Sequence, residues 1–440
     1  MARRLKRSIR HGILIAGALT VSMAMGVGLG RCSAGSAANV NDREEASAPP
    51  PHLNDTLTNA MSTFASTAAL DKAVERYLRR WEIVGAQLAY SRNDTLLYAR
   101  GYGWADKEKG VPMEPSNIMR IASVSKLVTA VGIMHMQEKG LLSLSDHVFG
   151  PDGILNDSAY TAQIRDKRYY SITVEHLLRH SAGFDTRAGD PMFYTRHIMA
   201  QNKLKEAPDN DTLLRILLRR RLGYTPGEGR WYSNLGYMLL SMIIERLTGQ
   251  DYEQYMRDSV LAPAGCYDFH IAGNYYEDRL PNEVKYYPHG GCGLVEEFNN
   301  SGKMVVKCYG ENDIPRLKGA GGWAASAAEL SRLVASIDSC EAVADILSEE
   351  SVGAMTEEME DDAFSIGWNR TPVGKPWERT GSMTGTSALV MHYPDGECLI
   401  LLTNTSTWKG HGFSTDTKQL FARLRRDFSG KMPDVNLFYP

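Results

Sequence analysis

Cysteine is scarce in this chain. There are six among 440 residues, and none stand in a C-x-x-C pair. Zinc and thiol-redox motifs built on that pair therefore have no support. An excess of positive charge is also missing. The formal net charge is −3 at pH 7, which leaves no electrostatic case for a nucleic-acid partner. Internal repeats are absent. Apolar runs long enough to approach a bilayer's thickness are absent beyond the first 30 residues. What remains is 43% hydrophobic and 23% charged, the balance of a large globular protein rather than a disordered one. A chain this long is expected to form two lobes.

The N-terminus is set apart by composition. Arg3, Arg4, Lys6, Arg7 and Arg10 precede an apolar stretch from Gly12 to Gly30, and small residues follow from Ser33 to Ala38. This reads as a secretory signal over residues 1–38, cleaved near Ala38; an uncleaved anchor through residues 12–30 is the competing reading. Residues 39–60, with Glu44, Glu45 and Pro49-Pro50-Pro51, are expected to be a disordered tether. The protein is accordingly expected outside the cytoplasm, periplasmic or at the cell surface. Without the signal and Cys32 an odd number of cysteines remains, so at least one thiol is unpaired or joins another chain. Cys292 and Cys308, which flank a polar loop, form the candidate disulfide.

The stretch richest in chemistry is Ser123-Val124-Ser125-Lys126, at the head of the apolar run Leu127, Val128, Ala130, Val131, Ile133, Met134. A helix starting there places Ser123 and Lys126 one turn apart on one face. Serine is a weak nucleophile until a base sits beside it, and a lysine serves when burial lowers its pKa. The same spacing recurs at Ser406-Thr407-Trp408-Lys409, after a strand-like run and before Gly410, where no helix is expected. Two further groups follow the first in order: Tyr232-Ser233-Asn234, and Arg379-Thr380-Gly381-Ser382. Taken singly, each has an ordinary structural explanation, Asn234 for instance as a helix N-cap.

In that order the three groups resemble the serine β-lactamase and penicillin-binding-protein superfamily, whose S-x-x-K and K-T-G boxes carry acyl-transfer chemistry. The Y-x-N form is most similar to class C β-lactamases and their relatives, the D-peptidases and lactamase-like esterases. Lesser echoes lie at Ile172–Phe184 and at Gly319–Ser326. The resemblance implies an α+β fold, an antiparallel sheet flanked by helices with a mostly helical domain inserted. It covers roughly residues 65–428; the serine-hydrolase domain is expected over residues 61–430, with the helical lobe at about 140–315, a polar, cysteine-bearing insertion at 266–315, and a tail at 431–440.

By this reading Ser123 is the nucleophile, Lys126 its base and Tyr232 a proton shuttle. Asn234 positions substrate, and the backbone N–H groups of Ser123 and Ser382 form the oxyanion hole. Arg379, Thr380 and Gly381 line the site. Arg379 replaces the usual lysine or histidine; arginine holds its proton but clamps carboxylates, which fits D-amino-acid peptides or β-lactams. The alternative is that Glu378 neutralises Arg379. The expected activity is an exported serine hydrolase working through an acyl-enzyme on peptide-like, peptidoglycan-derived, β-lactam or ester substrates. The alternative is a penicillin- or peptidoglycan-binding sensor that acylates without turnover. No cofactor and no metal is expected. His176 and His180, four apart, lack a third ligand.

Strands are expected at 86–90, 95–100, 365–368, 387–392 and 397–403, the last two joined at Asp395-Gly396. Helices are expected over Leu70–Trp81, around 213–218 and 238–244, over Ala327–Ile337, and over Thr417–Phe428.

Overall fold

The two ends of the folded chain meet in one sheet. In a computed structural model that describes residues 52–187, 189–291, 293–359 and 363–439, six antiparallel strands are ordered Val111–Pro112, Thr95–Asp106, Gly85–Arg92, Glu397–Thr403, Thr386–His392, Trp377–Met383. The strand alternation sets the two faces. Leu88, Tyr90, Leu389, Leu399 and Leu401 turn to one side, under residues of the Ala68–Arg80 and Phe413–Phe428 helices. Ala89, Val390, Ile400 and Leu402 turn to the other and join the larger core. That core contains the Ser125–Glu138 helix, which is apolar nearly all round and buried along almost its whole length. It also contains the Asn234–Thr248 and Ala327–Ala335 helices. The fold is α+β.

The expected hairpin at Asp395-Gly396 forms, with Gly396 at φ 78. Glu397, the first residue after it, is fastened to the C-terminal helix. Burial alone would raise its pKa, but hydrogen bonds from Ser429, Arg425 and Arg92 hold it down at about 2. A carboxylate lowered in the folded state stabilises fully above its unfolded value and loses that contribution as pH falls toward 2. Glu397→Gln is therefore expected to cost about 2–4 kcal/mol at neutral pH. The difference from wild type should shrink in thermal melts taken between pH 4 and pH 2.

Several expectations are corrected here. The tether does not extend to residue 60. Leu53 and Leu57 are buried, and Asn54 bonds Asp268 and Ser326, so residues 52–60 are packed; apolar residues among polar ones hid this. Of the tail, the described residues 431–439 are likewise held, with Leu437 and Phe438 buried and Leu437 N–H donating to Leu96 O. Residues 365–368 form bends, not a strand, although Ile366 and Trp368 are buried. Part of the 266–315 stretch is woven into the body rather than appended. Its strand His270–Ile271 pairs with Trp323–Ala325 in a three-stranded sheet with Met119–Arg120. The proposed signal, Cys32 and Cys292 lie outside the described residues, so the expected Cys292–Cys308 bond does too. Among the described residues no helix is long and apolar enough to cross a membrane.

Candidate active site

Ser123 stands in a single 3₁₀ turn, Ala122–Val124, just before the Ser125–Glu138 helix rather than within it. Its neighbour Ala122 has φ 48, a left-handed conformation that a Cβ-bearing residue adopts only under constraint. The constraints are visible. Ile121 N–H donates to Trp323 O at 2.9 Å. The fully buried Ser125 hydroxyl accepts from Trp323 N–H at 3.1 Å. Arg379 Nε and Nη2 both donate to the Ser123 carbonyl, at 2.8 and 2.7 Å. A Cβ on Gly381 would sit 2.2 Å from Ile121 O, so only glycine lets this turn lie against the strand.

The side chains converge as the spacing predicts. Tyr232 Oη donates to Ser123 Oγ at 2.8 Å, and Lys126 Nζ to the same oxygen at 3.3 Å. Lys126 is fully buried and also donates to Asn234 Oδ1 at 2.6 Å and Ala320 O at 2.5 Å. Burial pushes its pKa below the ordinary lysine value; Tyr232 opposes this and Arg379 adds to it. Burial would raise the Tyr232 phenol, but the charges of Lys126 and Arg379 and the bond to Ser123 outweigh it and bring it below the usual tyrosine value.

Ser123, Tyr232, Asn234, Thr380, Gly381 and Ser382 line one cavity of about 430 Å³, with Phe193, Phe364, Asn369 and His411 among its other walls. The Trp377–Met383 strand is the sheet's outer edge. Thr380 N–H points off that edge to Asn369 Oδ1, at 3.0 Å. Alternation then directs Ser382 N–H off the same open edge.

Two sequence expectations change. Arg379 is 1% exposed and is absent from the cavity wall; its guanidinium is spent on the Ser123 carbonyl, so it does not clamp a substrate carboxylate. Glu378 does not neutralise it either, being paired with Lys418 at 2.6 Å. The cause is the strand's period: Arg379 and Gly381 share the face toward the serine turn, while Thr380 and Ser382 share the other. Asn234, the first residue of its helix, is turned inward. Its amide oxygen receives Lys126, and its amide nitrogen donates to Asp190 at 3.2 Å.

One residue was missed in the sequence, and His180 was named there without its place beside Tyr232. Asp190 accepts from Asn234 N–H at 2.7 Å and from Met192 N–H at 2.9 Å. Burial raises its pKa, yet every partner is an N–H donor, which favours the carboxylate. It is the buried counter-charge behind Lys126. A lone aspartate before proline carries no motif, so only the fold reveals it. Asp190→Asn is expected to lower kcat about 10–100-fold. It should also move both limbs of the pH–rate profile to lower pH, because losing a negative charge disfavours both protonated Lys126 and protonated Tyr232. His180, at φ 56, accepts from Ser233 N–H at 3.2 Å and lies 4.4 Å from the Tyr232 ring. Burial holds it well below the usual histidine value, so it is a neutral wall behind the phenol. His176 instead caps its helix through Thr173. The second S-x-x-K copy is dispersed: Ser406 Oγ accepts from His289 N–H, and Lys409 pairs with Asp416.

Comparison with known proteins gives the geometry its relatives. The family model described as Beta-lactamase matches residues 70–423. Penicillin-binding protein 4* of Bacillus subtilis (strain 168) is 30% identical over 208 residues, 47% of this chain and 41% of that protein. Esterase EstB of Burkholderia gladioli is 28% identical over 218 residues, 49% of this chain and 54% of that protein. The chain thus matches about half or less of the length of these curated relatives. Among solved structures, D-amino acid amidase from Ochrobactrum anthropi SV3 complexed with D-phenylalanine superposes with TM-score 0.63 at 18% identity, over 82% of this chain and 99% of that one. At that identity the likeness is one of fold.

Proposed function

The chain belongs to the Beta-lactamase family, and from that premise we propose that it is an exported serine hydrolase that forms and then hydrolyses an acyl-enzyme on Ser123. The observation that carries this is one hydroxyl within 2.8 Å of a phenol and 3.3 Å of an amine at a cavity wall. Ser123 Oγ attacks the substrate carbonyl carbon while its proton passes to Tyr232. The N–H groups of Ser123 and Ser382 take the charge that develops on the carbonyl oxygen. The leaving group departs with the proton from Tyr232. Water then repeats the sequence on the Ser123 ester, Tyr232 accepting the water's proton and Ser123 leaving.

Tyr232, rather than Lys126, is the proton acceptor in this scheme. Asn234 Oδ1 and Ala320 O consume two Lys126 N–H bonds, and the third position faces Ser123 Oγ over the longer distance. Lys126 acts as the cation that keeps the phenol acidic. Asn234 keeps one amide N–H for a substrate.

The substrates favoured are neutral esters and amides, as the names of an esterase and an amidase among the relatives suggest. Among the described residues no lysine or arginine lines the cavity. A carboxylate there would lose its hydration without a guanidinium or ammonium to replace it. A p-nitrophenyl ester of a short neutral acid should be hydrolysed with kcat/KM at least about tenfold above a chromogenic cephalosporin carrying a free carboxylate. Blocking that carboxylate as its methyl ester should narrow the gap. Steady turnover lost in Ser123→Ala supports the enzyme. A stoichiometric burst that then stops with every acyl donor supports a sensor and overturns this reading.

A further inference from the structure

A second cluster of reactive groups lies away from the nucleophile. Asp94, Asp338 and Cys340 each offer a ligand atom, and these atoms lie within 4.8 Å of one another. Asp94 comes from the Asn93–Asp94 turn, where both residues have positive φ. The turn is pinned by Asn93 N–H donating to Gly396 O at 2.9 Å. Asp338 and Cys340 follow the Ala327–Ala335 helix, with Ser339 between them at φ 64. Two chain segments thus supply the groups, and a third, at Gly396, pins the first of them.

Buried carboxylate oxygens gather at the cluster. Asp94 is 4% exposed. Its Oδ2 accepts from Val343 N–H at 3.1 Å, while its Oδ1 is buried with no hydrogen-bond partner. Asp345 nearby also has a buried Oδ1 without a partner, though its Oδ2 accepts from Ser339 N–H at 2.9 Å. Asp338 itself is oriented. Its Oδ1 accepts from Cys340 N–H at 3.0 Å, and its Oδ2 lies 2.9 Å from His392 Nε2. His392 is stacked on Trp377 at 4.7 Å between ring centroids. A carboxylate held by a histidine is a common support for a metal ligand.

We propose that Asp94, Asp338 and Cys340 bind a zinc-type divalent cation, with His392 orienting Asp338. A thiol in the donor set favours zinc over calcium or magnesium, which take oxygen ligands. Zinc–sulfur and zinc–oxygen bonds of about 2.3 and 2.0 Å put neighbouring donors about 3.5 Å apart, so side-chain rotations of about an ångström close the site. Binding takes the Cys340 thiolate and releases its proton to solvent. The cation gives the buried Asp94 Oδ1 a partner. The site is structural. His392 and Ser387 lie five residues apart on one strand, about 17 Å, and Ser387 is the one that borders the catalytic cavity.

The test is metal binding by the full chain after chelator treatment and dialysis. One equivalent of zinc should bind, and cobalt should give a near-ultraviolet sulfur-to-cobalt absorption band in the wild-type protein. Cys340→Ser should abolish the band and weaken zinc binding more than about 100-fold, and His392→Gln should weaken it about 10–100-fold. Ester hydrolysis by Ser123 should be unchanged in both. Absence of saturable zinc uptake overturns the proposal, as does a cobalt spectrum lacking the sulfur band. Calcium uptake without zinc uptake, or zinc affinity unaltered in Cys340→Ser, overturns it too.

Discussion

Replacement of Ser123 by alanine is expected to lower kcat/KM for a chromogenic ester by about 10⁴–10⁶-fold while leaving the thermal midpoint within a few degrees of wild type. Both halves of the expectation come from the local structure. The Ser123 side chain makes no contact that the backbone depends on. The turn is held instead through the Ser123 carbonyl by Arg379, and through Ile121 and Ser125 by Trp323. Removing the hydroxyl leaves Tyr232 Oη, which borders the cavity, open to water, and Lys126 Nζ keeps Asn234 Oδ1 and Ala320 O as acceptors. Activity therefore disappears from an otherwise intact protein. Steady-state assays with circular dichroism melts on the same preparation check this. A variant that retains a tenth of the activity would mean that another group attacks the substrate.

Tyr232→Phe is expected to reduce kcat about 10²–10⁴-fold and to change the shape of the pH profile. The phenol acts in its deprotonated form, so the wild-type rate should rise with pH through a pKa below the ordinary tyrosine value. Higher still, Lys126 loses its proton, the phenolate loses its supporting cation, and the rate falls. The two limbs belong to the Tyr232–Lys126 pair rather than to either residue alone. In the phenylalanine variant the rising limb should vanish from its wild-type position. If the variant keeps that limb and most of its activity, Lys126 is the base, and the order of proton transfers given above is wrong.

The meeting of Ser123, Lys126 and Tyr232 was legible in the sequence, part of it through short-range spacing. Ser123 and Lys126 are three apart at the head of a helix, so any such helix presents them together. Tyr232 and Asn234 flank the start of another helix, and Asp395-Gly396 closes a hairpin that turn chemistry alone specifies. What could not be read depends on which way a side chain turns in an edge strand. Arg379 in a basic-T-G box suggests a substrate clamp, but the two-residue period turns it to the serine carbonyl. Gly381 lines the cavity as expected, and the same period makes it admit the Ile121 carbonyl. Asp190 was illegible because two of its three hydrogen bonds, from Asn234 and Met192, come from backbone N–H groups that no residue type announces. Residues 52–60 read as polar tether because their anchors, Leu53 and Leu57, are too few to make a periodic pattern.

The central claim is that Ser123 alone, through contact with Tyr232 and Lys126, is the reactive hydroxyl. The most direct test is to treat the intact protein with a fluorophosphonate, digest it and locate the adduct by mass spectrometry. One adduct per chain, on the peptide carrying Ser123 and absent from Ser123→Ala, is the predicted result. Modification of Ser406, or no modification under conditions that label a control serine hydrolase, would contradict it.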